Sequence, residues 1–203
     1  MMKHLICTLL AFFTAFPVQA ADTQQAQAFA ETLADKIMTQ VVKSSAPSAE
    51  KRTAFRKIFL GATDINKIAR FTLGRYARTA DKEQIDAFTK AFTDNIILTW
   101  ADRFGSYAGE SVKFKSVRQD KNDFYVTSSL DVPDTENDIE IIWRINAKND
   151  KLTLSDLVVE GVSMLLSYRN EYSSVLQQSN GDLQILINLL NQKNEALRNP
   201  KKK

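Results

Sequence analysis

Apolar residues recur at steps of three and four along Ile85, Phe88, Phe92, Ile96, Trp100, Phe104 and Tyr107. That spacing keeps every large side chain on one stripe of a helix. The pattern predicts one long helix from Asp81 to Tyr107, roughly 40 Å at about 1.5 Å per residue. So long an aromatic stripe needs an extended apolar partner. Upstream, Asp22 to Ser44 predicts a helix with Phe29, Leu33, Ile37 and Val41 on one face. Ala46-Pro47-Ser48 breaks it, and Ser48 can cap a second helix bearing Phe55, Ile58 and Phe59, which Gly61 ends. Asp64 then caps a short helix with Ile65, Ile68, Ala69 and Leu73, and Gly74 allows the turn into the long one.

Beyond Glu110 the period changes from helical to alternating. Ser111–Arg118, Asp123–Val132, Asp138–Ala147 and Lys151–Ser163 read as four strands. Short turn-like joints at Gln119–Asn122 and Lys148–Asp150 make neighbours antiparallel. The last two strands are apolar on both faces in places, as at Ile141-Ile142-Trp143 and Leu157-Val158-Val159, which predicts cover on both sides. Two helices close the chain, Met164–Gln178 and Leu183–Leu197. With no repeat and no linker, the expectation is one α+β domain: a four-stranded antiparallel sheet wrapped by N-terminal and C-terminal helices.

The first twenty residues read as an export signal: basic Lys3 and His4, the apolar run Leu5–Phe16, and small residues at Val18-Gln19-Ala20. The run is shorter than the ~18 residues a membrane-spanning helix needs. The domain expected is therefore 21–198, with 199–203 as a basic tail, exported and soluble. Removal of the signal takes away Cys7 and His4, the chain's one cysteine and one histidine. What remains has no thiolate nucleophile, imidazole base, disulfide or soft metal ligand, so no cofactor or metal is expected. The net charge of +3 for the whole chain is too weak to point to nucleic acid.

Two patterns invite a catalytic reading and fail it. Gly161-Val162-Ser163 lacks the second glycine of a nucleophile elbow, Leu165 standing in its place, and the domain expected after removal of the signal has no histidine to serve it. Asp156 and Glu160, four residues apart on a strand, would sit about 13 Å apart, beyond the ~5–9.5 Å of paired glycosidase carboxylates. Lys67, Arg70, Arg75 and Arg78 form a basic rim beside Phe71, Leu73 and Tyr76. It suits lipid phosphate, an acidic partner surface, or simple solvation. The apolar faces of the long helix, the last strands and the C-terminal helices fit either a solid core or a cavity for an apolar ligand.

The stretch DINKIARFTLGRYAR (Asp64–Arg78) resembles the signature of the MlaC, or toluene-tolerance, family of periplasmic phospholipid-binding proteins. Ala101–Gly109, Ile142-Trp143-Arg144, Val159–Met164 and Arg169–Tyr172 follow in the same order. Ala77 and Asn180-Gly181 depart from the family's usual residues. The resemblance implies a curved sheet, related to NTF2-like folds, with acyl chains buried between sheet and helices. It implies a monomeric, non-enzymatic carrier moving phospholipid between an outer-membrane lipoprotein complex and an inner-membrane ABC transporter complex, to keep outer-membrane lipid asymmetry. A hopanoid-type lipid as ligand, an NTF2-like small-molecule enzyme and a chaperone-like module with a solid core stay open. The lipid-binding residues expected are Phe71, Tyr76, Ile96, Trp100, Phe104, Tyr107, Trp143, Val159, Val162, Met164, Leu165, Tyr172 and Leu176. Partner docking is expected at Lys67, Arg70, Arg75 and Arg78.

Overall fold

Asp22 opens the first helix by accepting the Gln25 backbone N–H at 2.8 Å, while the Gln25 side chain returns the bond. In the computed structural model, residues 22–105, 111–131, 138–149 and 151–199 are described. Helix α1 (Thr23–Ile37) does not run regularly to Ser44; it loosens into a π-helical turn over Met38–Val42. The wider turn seats both Val41 and Val42 in the core. Helix α2 (Ser48–Ala62) begins after Pro47, with no side-chain cap from Ser48. Asp64 caps α3 (Ile65–Leu73) through the Lys67 N–H, and a 3₁₀ turn (Gly74–Arg78) leads onward.

Helix α4 (Lys82–Gly105) is the long helix of the aromatic stripe. Tyr107 lies outside the described residues. Ile85, Phe88, Phe92 and Ile96 are buried as the stripe predicts, but so are Ala91, Asn95, Ile97, Leu98 and Ala101. The helix is therefore enclosed on most sides, packing on α2, α3 and α6 (Leu183–Arg198). A buried amide pair fixes α6 on it: Asn95 Nδ2 donates to Asn194 Oδ1 at 2.9 Å, and Asn194 Nδ2 donates to the Ala91 carbonyl at 2.9 Å. Asp94 accepts from both Arg56 and Arg198, tying α2 and α6 to the same turn. Asn194→Ala leaves the Asn95 amide unpaired, so urea unfolding should show a loss of about 2 kcal/mol at unchanged slope. A loss within experimental error would mean that the pair is idle.

The sheet is an antiparallel meander in chain order: β1 (Ser111–Asp120), β2 (Asp123–Asp131), β3 (Ile139–Lys148), β4 (Lys151–Val159) and β5 (Val162–Ser163). It has five strands among the described residues, not the four expected. Glu160 and Gly161 both take positive φ, 48° and 76°, which makes a two-residue reversal inside the segment read as one strand. Register shifts interrupt β1 between Phe114 and Ser116 and the β3–β4 pairing between Arg144 and Ile145. The second shift leaves Ser155 unpaired, so Leu154 opposite Ile145 and Leu157 opposite Trp143 point to the same face. Phe124, Val126, Trp143 and Ile145 share that face and join the core. Helix α1 packs on β1 and β2, while α2 and α5 (Met164–Gln178) meet β4.

Candidate functional site

Between this inner face and the helices lies an apolar chamber. Its walls are Leu33 and Ile37 of α1, Phe55, Ile58 and Phe59 of α2, Ile68 of α3, and Phe92, Ile96, Trp100 and Phe104 of α4. Trp143, Leu154 and Leu157 of the sheet and Met164, Leu165 and Tyr168 of α5 complete it. The aromatics brace one another: Phe55 meets Phe104 edge-on at 5.5 Å, and Phe92 meets Tyr168 edge-on at 5.6 Å. Polar groups at the wall are spent on protein partners. Trp100 Nε1 donates to the Tyr168 hydroxyl at 3.0 Å and Trp143 Nε1 to Ser128 at 2.9 Å. Thr63 donates to the Phe59 carbonyl and Ser155 to the Arg144 carbonyl. The chamber presents hydrocarbon and aromatic faces and almost nothing that could react.

Its free volume is about 100 Å³, well below the roughly 300–1,000 Å³ of an ordinary small-molecule pocket. A ready-made lipid-sized cavity is therefore not what the chain presents. A second, polar space of about 330 Å³ adjoins it, and Ile68, Leu154, Ser155, Asp156 and Leu165 border both. This vestibule lies on the opposite face of β2–β4, among Tyr125, Arg144 and Asn146, beside Lys67 and Phe71 of α3. Asp156 anchors its wall. The buried carboxylate accepts the Ser163 hydroxyl at 2.6 Å and the Leu165 N–H at 3.0 Å, with Arg144 at 3.6 Å. Ser163 itself caps α5 through the Leu166 N–H, so it is a structural hydroxyl and no nucleophile.

The structure gathers Ile96, Trp100, Phe104, Trp143, Met164 and Leu165 at the chamber. Phe71 stands at the vestibule and Tyr76 at a separate surface hollow with Arg75. Tyr172 and Leu176 are fully buried, Tyr172 packing edge-on against Phe88 and Phe92 in solid core. Val159 lines neither space, and Val162 is 53% exposed in the short β5. Of the basic rim, Lys67 borders the vestibule, while Arg70, Arg75 and Arg78 are exposed on α3 and the turn after it. The walls from α1 and α2 were absent from the expected set, although their apolar periodicity was plain.

Burial pushes the Tyr168 and Tyr172 hydroxyls above the ordinary phenol value, and Glu171 adds to both shifts. Raised folded-state values mean that the folded protein holds these protons more tightly. This contribution is complete below the unfolded tyrosine value near 10 and is lost as pH rises further. The melting temperature should fall steeply above about pH 10, and Tyr172→Phe should flatten that fall. An equally steep fall in the variant would assign it to other groups.

Among the described residues there is no cluster of three or more His, Cys, Asp or Glu side chains suited to a metal. No described helix is long and apolar enough to cross a membrane. Helices folded over one face of an antiparallel meander, enclosing a chamber of inert side chains, define an α+β fold built around an apolar interior. The family model for MlaC proteins matches residues 24–192, and the chain belongs to the MlaC family. The fold is similar to that of a phospholipid-binding protein from Ralstonia solanacearum, solved in complex with a phospholipid. The two share 18% identity and a TM-score of 0.76, over 88% of this chain and 99% of that one. No curated protein matches the chain.

Proposed function

We propose that this protein is a non-enzymatic phospholipid carrier that takes acyl chains into the chamber between α4 and the sheet. The observation that carries the reading is a chamber walled by hydrocarbon with its polar groups already paired, in a family member whose structural relative holds a phospholipid. Carriage needs no bond chemistry, only removal of tails from water, at roughly 0.8 kcal/mol per buried CH₂. The narrow chamber has to widen to admit a diacyl lipid. The π-helical turn beside Ile37 is the irregular element best placed to yield.

On this reading the chain is exported through residues 1–20 and acts as a periplasmic monomer. It passes lipid between an outer-membrane lipoprotein complex and an inner-membrane ABC transporter complex, and so maintains outer-membrane asymmetry. Exposed Arg70, Arg75 and Arg78 serve docking, where surface charge sets encounter rates and salt sensitivity more than holding strength. Arg75→Glu with Arg78→Glu should keep its bound lipid but exchange it more slowly with partner membranes. Loss of the lipid itself would place these arginines in the binding site. The reading as a whole is tested by extracting the purified protein into organic solvent and weighing the extract by mass spectrometry. Stoichiometric diacyl phospholipid is expected; a polycyclic lipid or no lipid at all overturns it.

A further inference from the structure

We propose that the vestibule is a phosphate-reading subsite, in which Arg144 and Lys67 hold the phosphodiester of the lipid whose tails occupy the chamber. This rests on the phospholipid reading above and names the part of the ligand that the protein discriminates. Position comes first. The two spaces share five wall residues, so the polar end of a lipid whose tails fill the chamber is placed beside the vestibule, with Ile68 and Leu165 at the boundary. The chamber is apolar but for Thr63, Ser155 and Asp156 at its wall, whereas the vestibule holds charged side chains of both signs in about 330 Å³, within the usual range for a small-ligand site of about 300–1,000 Å³.

Three carboxylates and two cations line the vestibule, and their hydrogen bonding differs. Each carboxylate already accepts a protein donor. Asp64 accepts the Lys67 N–H as the cap of α3, Asp123 accepts Asn146 Nδ2 at 2.6 Å, and Asp156 accepts from Ser163 and Leu165. The cations are only partly spent: Arg144 has a long ion pair with Asp156 and lies over the Tyr125 ring. Arg144 Nε is buried with no acceptor, and the nearest carboxylate oxygen stands 3.6 Å from Nη1, beyond a good hydrogen bond. Lys67 is exposed and makes no salt bridge with any described residue. An arginine with unspent donors and a lysine across the same space suit a phosphodiester, which offers two anionic oxygens.

One further feature favours the same sign. Arg118 stacks on Tyr125 with its guanidinium carbon 4.0 Å from the ring centroid, adding a third cation beside the same wall. The consequence is selectivity for phosphate rather than for tails. A phosphate-free lipid with identical chains gains the chamber and forfeits the vestibule.

The test uses the full chain stripped of lipid and titrated with brominated phosphatidylglycerol or brominated diacylglycerol of the same chains, read by tryptophan quenching. The wild type should prefer the phospholipid by about tenfold or more, as two charge-assisted contacts would give. Lys67→Gln with Arg144→Gln should cut that preference to about twofold with diacylglycerol affinity retained, although loss of the Arg144–Asp156 pair should lower the melting temperature. Lys67→Gln alone, at an exposed position, should cut it by about threefold and serves if the double variant fails to fold. An undiminished preference in these variants overturns the proposal, as does a wild type that binds both lipids equally; either leaves the carrier reading standing. Quenching by neither lipid defeats the carrier reading itself. sn-Glycerol 3-phosphate should not compete at millimolar concentration. Competition as strong as that of phosphatidylglycerol would make this a site for soluble phosphate esters and overturn the proposal.

Discussion

Leu165→Trp is expected to purify folded and almost empty of lipid. Leu165 is half-buried at the boundary of chamber and vestibule, and a larger ring there can expand into the roomier of the two. The stability of the lipid-free form should therefore drop by less than about 1.5 kcal/mol, while bound phospholipid falls by about tenfold because the ring stands in its path. Leu186→Trp is the contrast. Leu186 is buried in α6 and borders neither space, so the same enlargement should overpack solid core. That variant should lose about 1–3 kcal/mol and keep its lipid content. Full lipid content in Leu165→Trp together with a large stability loss would put the tails elsewhere.

Asp156→Ala should be the most destabilising single change at the site, at about 3 kcal/mol. The substitution removes one carboxylate and strands the Ser163 hydroxyl, the Leu165 N–H and the Arg144 guanidinium together. These partners hold the start of α5 against β4, so the cost should appear as faster amide exchange in the first turn of α5. Asp156→Asn, which keeps an acceptor, should recover part of the loss. Equal stability of the alanine variant and the wild type would show that α5 is held by apolar packing alone.

Much of the architecture was legible because helix and strand periods differ so clearly along this chain. The stripe from Ile85 to Phe104 predicted α4, and alternation beyond Glu110 predicted the meander. Stripe logic undercounted α4, because a helix enclosed by neighbours also buries Asn95, Ile97 and Leu98, which an amphipathic reading leaves in solvent. The strand count slipped at Glu160-Gly161, where a non-glycine residue at positive φ gives no warning in the sequence. A subtler loss came from the unpaired Ser155. Strict alternation puts Leu154, Asp156 and Val158 on one face, but the register shift brings Leu154 and Leu157 inward and turns Asp156 to the other side. Asp156, which the sequence shows only as half of a failed acid/base pair, is the buried anchor of α5.

The site was legible in part for a related reason. Trp100, Phe104, Trp143, Met164 and Leu165 converge as expected, whereas on the same helix as the last two Tyr172 turns into the core beside Phe88 and Leu176 is buried beneath the separate hollow at Tyr76. Apolar periodicity says which face is buried, not whether that face meets another side chain or a space. For the same reason Leu33, Ile37, Phe55 and Phe59 show in the sequence only as apolar helix faces, with no sign that they line a space. Lys67 and Arg70, three residues apart, read alike as rim cations, and only the fold sets Lys67 at the vestibule.

Both tryptophans of the chain, Trp100 and Trp143, stand on the chamber wall, one from α4 and one from β3. Bromine on an acyl chain quenches indole emission only at close contact, so the pair reports directly on where tails lie. Stoichiometric phospholipid with brominated chains should remove most of the intrinsic fluorescence, while the same lipid without bromine should leave it nearly unchanged. Trp100→Phe and Trp143→Phe should each retain a quenchable signal from the other. Strong quenching in both variants is what a chamber occupied by acyl chains predicts. Bound brominated lipid that leaves both tryptophans bright would contradict it.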